Sequence, residues 1–90
     1  MLTKRQEDIF KIIVESYIKN PYPVSSKAIC DMLGCSSATV RAEMSELENL
    51  GLIEKTHTSS GRVPSETGYR YYVDNIMVPK EILKFWTQNY

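Results

Sequence analysis

The sequence predicts a mostly α-helical domain with one small β-hairpin. Three observations predict this fold class. Apolar residues recur at helical spacing in several segments, a short turn containing glycine separates two of them, and two brief extended stretches flank a Ser-Gly turn. Because the chain has 90 residues, a single domain with a modest hydrophobic core is expected.

The first helix is predicted over residues 3–19. Thr3 and Gln6 have the spacing of a capping box, in which each side chain bonds the backbone N–H of the other residue. Pro21 and Pro23 end the helix, because proline restricts the residue before it and has no N–H to donate. The predicted apolar face comprises Ile9, Phe10, Ile13, Val14 and Tyr17, widened by Ile12 and Ile18.

Two shorter helices are predicted next, joined by a tight turn. Serines at 25 and 26 can cap the second helix, and Gly34 ends it in the left-handed conformation. The third helix begins at Ser36 or Ser37 and ends at Gly51. This spacing is that of a helix-turn-helix, although many α-hairpins share it. The apolar positions of the second helix are Ala28, Ile29, Met32 and Leu33, and the third helix is predicted to place Val40, Met44 and Leu47 inward.

A hairpin and a fourth helix complete the predicted domain. Residues 52–56 and 62–64 are the two strands, and Pro64 places the second strand at an edge. A hairpin directly after a helix-turn-helix predicts a winged helix-turn-helix: a three-helix core plus a wing, followed by a C-terminal helix. Ser65 caps that helix, and its apolar stripe comprises Tyr69, Tyr72, Val73, Ile76 and Met77.

The end of the chain is predicted to lie outside this domain. We expect residues 1–77 to form the winged helix and residues 78–90 to begin a linker or helix toward a missing C-terminal region. Pro79 separates the two, and the apolar residues Ile82, Leu83, Trp86 and Tyr90 lack an obvious partner in so short a chain. A piece of a longer protein, or a dimer contact, would explain them.

The outward face of the third helix is the first candidate binding surface. It is small and polar with a single long cation, so it can approach the major groove closely, where arginine can donate two bonds to guanine. An ordinary solvated helix is the alternative. The residues predicted to contact bases are Ala38, Arg41, Ala42 and Ser45.

A second set of residues is predicted to contact phosphates. Hydroxyl side chains stand at the positive end of the third helix, and Lys27 lies in the first turn of the second helix, which crosses the DNA backbone in this motif. The hairpin turn carries small residues and an arginine at its tip. A flexible loop and a solvated surface are the alternatives. The predicted phosphate contacts are Lys27, Ser36, Ser37, Thr39, Ser59, Ser60 and Arg62.

Other classes of function are disfavoured by the sequence. Cys30, Cys35 and His57 lack zinc-site spacing, and the single histidine has no orienting acid, so we expect no metal, no cofactor and no enzyme. The tyrosines at 69, 71 and 72 could stack on bases, but two of them lie on the stripe that faces the core. The equal numbers of basic and acidic side chains, 11 each, argue against wholesale nucleic-acid coating but leave room for a local basic face. No segment has the length of a membrane span or the pattern of a secretory signal.

Two segments are distinctive: His-Thr-Ser-Ser-Gly-Arg-Val-Pro at 57–64 and Gly-Tyr-Arg-Tyr-Tyr-Val-Asp at 68–74. Through them most strongly, and over about residues 2–77, the sequence resembles the N-terminal domain of the HrcA family, the heat-inducible transcription repressors of bacteria. The family's Ser-Ser-Ala-Thr-Ile-Arg-Asn run falls on residues 36–42, with Val40 for Ile and Ala42 for Asn. Alanine cannot make the bidentate contact with adenine that asparagine can.

The resemblance implies a sequence-specific DNA-binding domain of a repressor of heat-shock (chaperone) operons in the bacterial cytoplasm. The implied partner is double-stranded DNA with an inverted-repeat operator, bound by a homodimer of the full-length protein and released under heat stress. No membrane or small-molecule substrate is implied. The alternative is a winged helix used only for protein association, with the tyrosine stripe and Trp86 as its interface.

Overall fold

A computed structural model describes residues 2–56 and 61–76. The elements, in chain order, are α1 (Lys4–Lys19), α2 (Ser26–Leu33), α3 (Ser37–Asn49), β1 (Ile53–Lys55), β2 (Arg62–Pro64) and α4 (Glu66–Asn75). This order confirms the predicted winged helix-turn-helix. The predicted turn at 57–60 and the residues from Met77 to the end, including the predicted boundary at 77/78, lie outside the described residues.

The helix ends are set by the local signals predicted for them. Thr3 Oγ1 accepts a hydrogen bond from the Gln6 N–H, and the Gln6 side chain accepts one from the Thr3 N–H, both at 3.1 Å. Ser25 and Ser65 cap α2 and α4 in the same way, through the N–H three residues later. Gly34 ends α2 at φ 71°, where a side chain would be strained. Each helix therefore begins within one residue of its predicted start.

The hydrophobic core lies between α1, α3, the hairpin and α4. Helix α1 crosses α3 and β2, and α2 packs on α3. A domain of this size has a single small core, so each of these elements turns only one narrow apolar face toward it. The buried residues are Ile9, Phe10, Ile13, Val14, Val24, Ile29, Val40, Met44, Leu47, Leu52, Ile53 and Tyr72.

Some residues of the predicted apolar faces are exposed. Met32 is 63% exposed, Val73 is 45% exposed, and Ala28 and Ile18 are also exposed. Helix α2 has only 8 residues, and within it only Ile29 is fully buried, so its predicted apolar positions form too wide a stripe. In α4 the buried positions are Gly68 and Tyr72, one turn apart, which turns Val73 outward.

The hairpin is anchored to the chain between α1 and α2. Strands β1 and β2 are antiparallel, with Ile53 opposite Pro64 and Lys55 opposite Arg62. The N–H and C=O of Arg62 both bond to Val24, at 2.9 Å each. The sheet has two strands, so β2 is an edge strand as predicted, with one isolated bridge on its outer side, at Arg62. Backbone groups alternate in direction along a strand, so the backbone nitrogen of Pro64 points away from β1. Its missing N–H therefore breaks no hydrogen bond of the hairpin.

Tyr72→Phe is expected to lower the free energy of unfolding by about 1 kcal/mol. The Tyr72 hydroxyl donates a 2.7 Å hydrogen bond to Oε2 of Glu15, which links α4 to α1. Urea unfolding followed by circular dichroism measures the change. Tyr22→Phe is the matched control, because Tyr22 is 72% exposed and its loss of a hydroxyl should leave the midpoint unchanged. Equal midpoints for both variants would show that the Tyr72–Glu15 bond contributes nothing net.

Candidate nucleic-acid interface

Helix α3 presents the outward face that the sequence predicts. Val40, Met44 and Leu47 are buried against the core. The residues predicted to contact bases, Ala38, Arg41, Ala42 and Ser45, are all exposed. Three of these four side chains are only a methyl or a hydroxymethyl group, so the Arg41 side chain is the one that projects far from the helix.

The beginning of α3 carries a small cluster of hydroxyl groups. Ser36 Oγ accepts a hydrogen bond from the Thr39 N–H at 3.2 Å and donates one to Thr39 Oγ1 at 2.9 Å. Arg41 Nη2 lies 3.4 Å from Ser37 Oγ, which places the guanidinium beside this helix end. The first turn of α3 contains no acidic residue. The positive end of the helix dipole and Arg41 therefore face the same region of solvent.

A groove runs between the start of α2, the outer side of α3 and the hairpin. Its volume is about 290 Å³. Arg41 and Ser45 line it from α3, and Lys55 and Arg62 line it from the two strands, so cations of separate elements share one concave surface. Among the described residues, its lining is Ser26, Arg41, Met44, Ser45, Lys55 and Arg62.

Arg62 is placed differently from the sequence prediction. It is the first residue of β2 rather than the tip of the hairpin, and its side chain is only 17% exposed. Its Nε donates a 2.8 Å hydrogen bond to Oε1 of Glu48 on α3. Arg62 nevertheless lines the groove that Arg41 lines, so both arginines lie on one side of the domain.

Two groove residues escaped the sequence analysis. Lys55 is the register partner of Arg62, and Ser26 is the first residue of α2. Strand alternation places Lys55 on the same side as the buried Ile53, and only the hairpin's extension beyond the core exposes it. Of the other predicted phosphate contacts, Lys27 is exposed one residue from the groove, and Ser59 and Ser60 lie outside the described residues.

Comparison with known proteins identifies the kind of domain that carries this groove. A family model described as "Winged helix-turn-helix transcription repressor, HrcA DNA-binding" matches residues 1–76. The chain belongs to the HrcA family. Because this family consists of transcription repressors, the match also confirms the expectation that the chain is not an enzyme.

Three HrcA proteins named as heat-inducible transcription repressors align along most of this chain. Those of Lactobacillus delbrueckii subsp. bulgaricus and Bacillus pumilus are 56% and 50% identical over 84 residues, or 91% of the chain. That of Oceanobacillus iheyensis is 52% identical over 88% of the chain. The chain spans 24% of the length of each of these relatives.

A solved structure supports the same fold for this HrcA domain. The crystal structure, at 2.2 Å resolution, of a protein described as hypothetical aligns with a TM-score of 0.76 and 43% sequence identity. The alignment covers 81% of this chain and 24% of that one. The winged helix is therefore matched in sequence and in three dimensions.

Three tyrosines of α4 in the HrcA domain pack against α1: Tyr72 is buried, and Tyr69 and Tyr71 are half-buried. The Tyr69 ring lies 6.5 Å from that of Tyr17, and the Tyr71 ring meets Phe10 edge-on at 5.9 Å. Burial, and after it the neighbouring Tyr17, raise the pKa of Tyr69 above its ordinary value. These contacts hold α4 against α1, so the rings of Tyr69 and Tyr71 are partly covered by the domain itself.

Among the described residues of the HrcA domain, the two cysteines are the remaining candidates for a metal or thiol site. Cys30 and Cys35 are free, half-buried and packed against the core. Within residues 2–56 and 61–76, no three His, Cys, Asp or Glu side chains are grouped so that they could hold a metal ion. No helix in the same part of the chain is long and apolar enough to cross a membrane.

Proposed function

We propose that this HrcA domain binds the operator of heat-shock (chaperone) operons in the bacterial cytoplasm. The observation that carries the proposal is the groove, because it gathers Arg41 of α3 with Lys55 and Arg62 of the hairpin on one side of the domain, in a chain with no net charge. A local concentration of cations on the side of an exposed helix is the electrostatic footprint of a nucleic-acid surface.

Two groups of residues have distinct roles in this proposal. The short side chains of α3 allow the helix to enter the major groove, where Arg41 donates to O6 and N7 of a guanine. Ser45 and the methyl groups of Ala38 and Ala42 then face neighbouring base edges. The phosphates on either side are held by Lys27, Ser36, Ser37, Thr39, Ser59, Ser60 and Arg62, to which the structure leads us to add Ser26 and Lys55.

The full-length protein is proposed to act as a homodimer on an inverted repeat. A two-fold dimer presents two copies of α3 related by symmetry, so it matches two half-sites of opposite direction. The chain covers 24% of its relatives' length. We keep the predicted division of this chain into a winged helix at 1–77 and the beginning of a connection at 78–90.

The proposal predicts salt-dependent binding to duplex DNA by the 90-residue chain. Fluorescence anisotropy with a mixed-sequence duplex, repeated at several potassium chloride concentrations, should give a log–log slope of about −0.9 for each phosphate neutralised. Selection from a random duplex library should then enrich duplexes that contain one short common sequence, rather than duplexes that share only their base composition. Absence of binding at low salt, or enrichment without a common sequence, would contradict a sequence-specific DNA-binding role.

A further inference from the structure

Glu48 lies beside the groove, where it pairs with the groove residue Arg62, although its charge opposes binding of a phosphate. It follows Arg41 by seven residues on α3, which is two helical turns, so both side chains stand on the same side of the helix. Its Oε1 accepts the Arg62 Nε hydrogen bond at 2.8 Å, and its side chain is 38% exposed. An acid at this position either weakens DNA binding or has a role that outweighs its charge.

The contacts of Arg62 indicate such a role. Its backbone is held on one side by Val24, and its side chain is held on the other by Glu48. Its register partner on β1 is Lys55, and two like charges directly opposite each other on a sheet repel. Glu48 offsets this repulsion and ties the basic face of the hairpin to α3, next to the groove.

We propose that Glu48 is a positioning residue for phosphate binding. By holding Arg62 Nε, it fixes the guanidinium and the hairpin so that Arg62 and Lys55 face Arg41 across the groove before DNA arrives. Ordering an arginine side chain during binding weakens affinity by about two- to tenfold, and Glu48 removes that cost in advance. This inference rests on the proposed DNA-binding function.

The sign of the effect of Glu48→Ala tests the inference. Removal of a negative charge from a DNA-binding helix ordinarily strengthens binding, whereas loss of a positioning contact weakens it. With a mixed-sequence duplex, we expect Glu48→Ala to bind about two- to tenfold more weakly than the wild type. Its salt slope should also shift toward that of Arg62→Ala, since one phosphate contact becomes poorly ordered.

Glu46→Ala is the matched control for charge. Glu46 is an exposed acid of the same helix, about 160° around the helix axis from Glu48. Its removal should leave affinity unchanged or raised. Glu48→Gln is the conservative variant, because glutamine keeps an oxygen that can accept from Nε. It should restore at least wild-type affinity and salt slope, which a variant that merely loosens the fold would not do.

Three results would overturn the inference. The first is that Glu48→Ala binds as tightly as Glu46→Ala. The second is that Glu48→Gln binds as weakly as Glu48→Ala. The third is that Glu48→Ala causes the same loss in an Arg62→Ala background, where no guanidinium remains to be positioned. If the wild-type chain binds the duplex and the variants give one of these results, only the role of Glu48 is refuted. A wild-type chain that does not bind the duplex refutes the proposed function as well.

Discussion

Arg41→Ala is expected to weaken binding to a selected operator by about 1–3 kcal/mol and to relax base preference at one position. Arg41 is exposed on the outer side of α3, beside Ser37 and facing the groove. The variant would lose the proposed bidentate contact with guanine, together with its discrimination against the other bases. Repeating the selection from a random duplex library with the variant measures the relaxed position directly.

Arg41→Lys separates the charge of this residue from its geometry. Lysine keeps the positive charge but lacks the planar fork that matches O6 and N7 of guanine. We expect the lysine variant to keep the wild-type salt slope on a mixed-sequence duplex and to lose affinity on the selected operator. If Arg41 contacts only phosphate, lysine should restore both, and the alanine variant should lose the same affinity on every sequence.

Arg70→Ala is the control for loss of an arginine elsewhere. Arg70 lies on α4 and pairs with Glu66 at 3.5 Å, and both side chains are mostly exposed, so the pair contributes little to stability. Its removal takes one positive charge from the domain without touching the groove. Operator binding close to that of the wild type is expected, and a loss as large as that of Arg41→Ala would place α4 at the DNA.

The secondary structure could be predicted because its signals are local. The Thr3–Gln6 capping box, the left-handed Gly34 and the Ser65 cap each act within four residues, and each is formed in the structure. The outward face of α3 also follows from helical periodicity alone. These signals were sufficient for the order of elements and for the exposure of Arg41.

The groove could not be predicted, because it depends on how separate elements pack. Lys55 and Ser26 enter it only through the register of the hairpin and the position of α2 against α3. The pairing of Arg62 with Glu48 joins residues 14 positions apart across two elements. Sequence periodicity places Glu48 on the same side of α3 as Arg41, but nothing in the pattern indicates which cation it meets.

Gly68→Ala is expected to destabilise the domain by at least about 2 kcal/mol, although alanine is the better helix former by about 1 kcal/mol. A Cβ at Gly68 would overlap the backbone carbonyl of Leu52, where α4 approaches the start of the hairpin. That carbonyl cannot easily move, because it accepts the Ser65 N–H at 3.1 Å, and Ser65 in turn caps α4 through the Gly68 N–H. The midpoint of urea unfolding measures the loss.

Thr67→Ala is the matched control for Gly68→Ala, since Thr67 is an exposed residue of the same helical turn. Its midpoint should stay within about 0.5 kcal/mol of the wild type. If Gly68→Ala were as stable as Thr67→Ala, the close approach of α4 to Leu52 would be wrong. Because Leu52 leads directly into β1, a displaced α4 also shifts the hairpin that carries Lys55 and Arg62. The Gly68 variant should therefore bind duplex DNA more weakly even at temperatures where it remains folded, whereas the Thr67 variant should not.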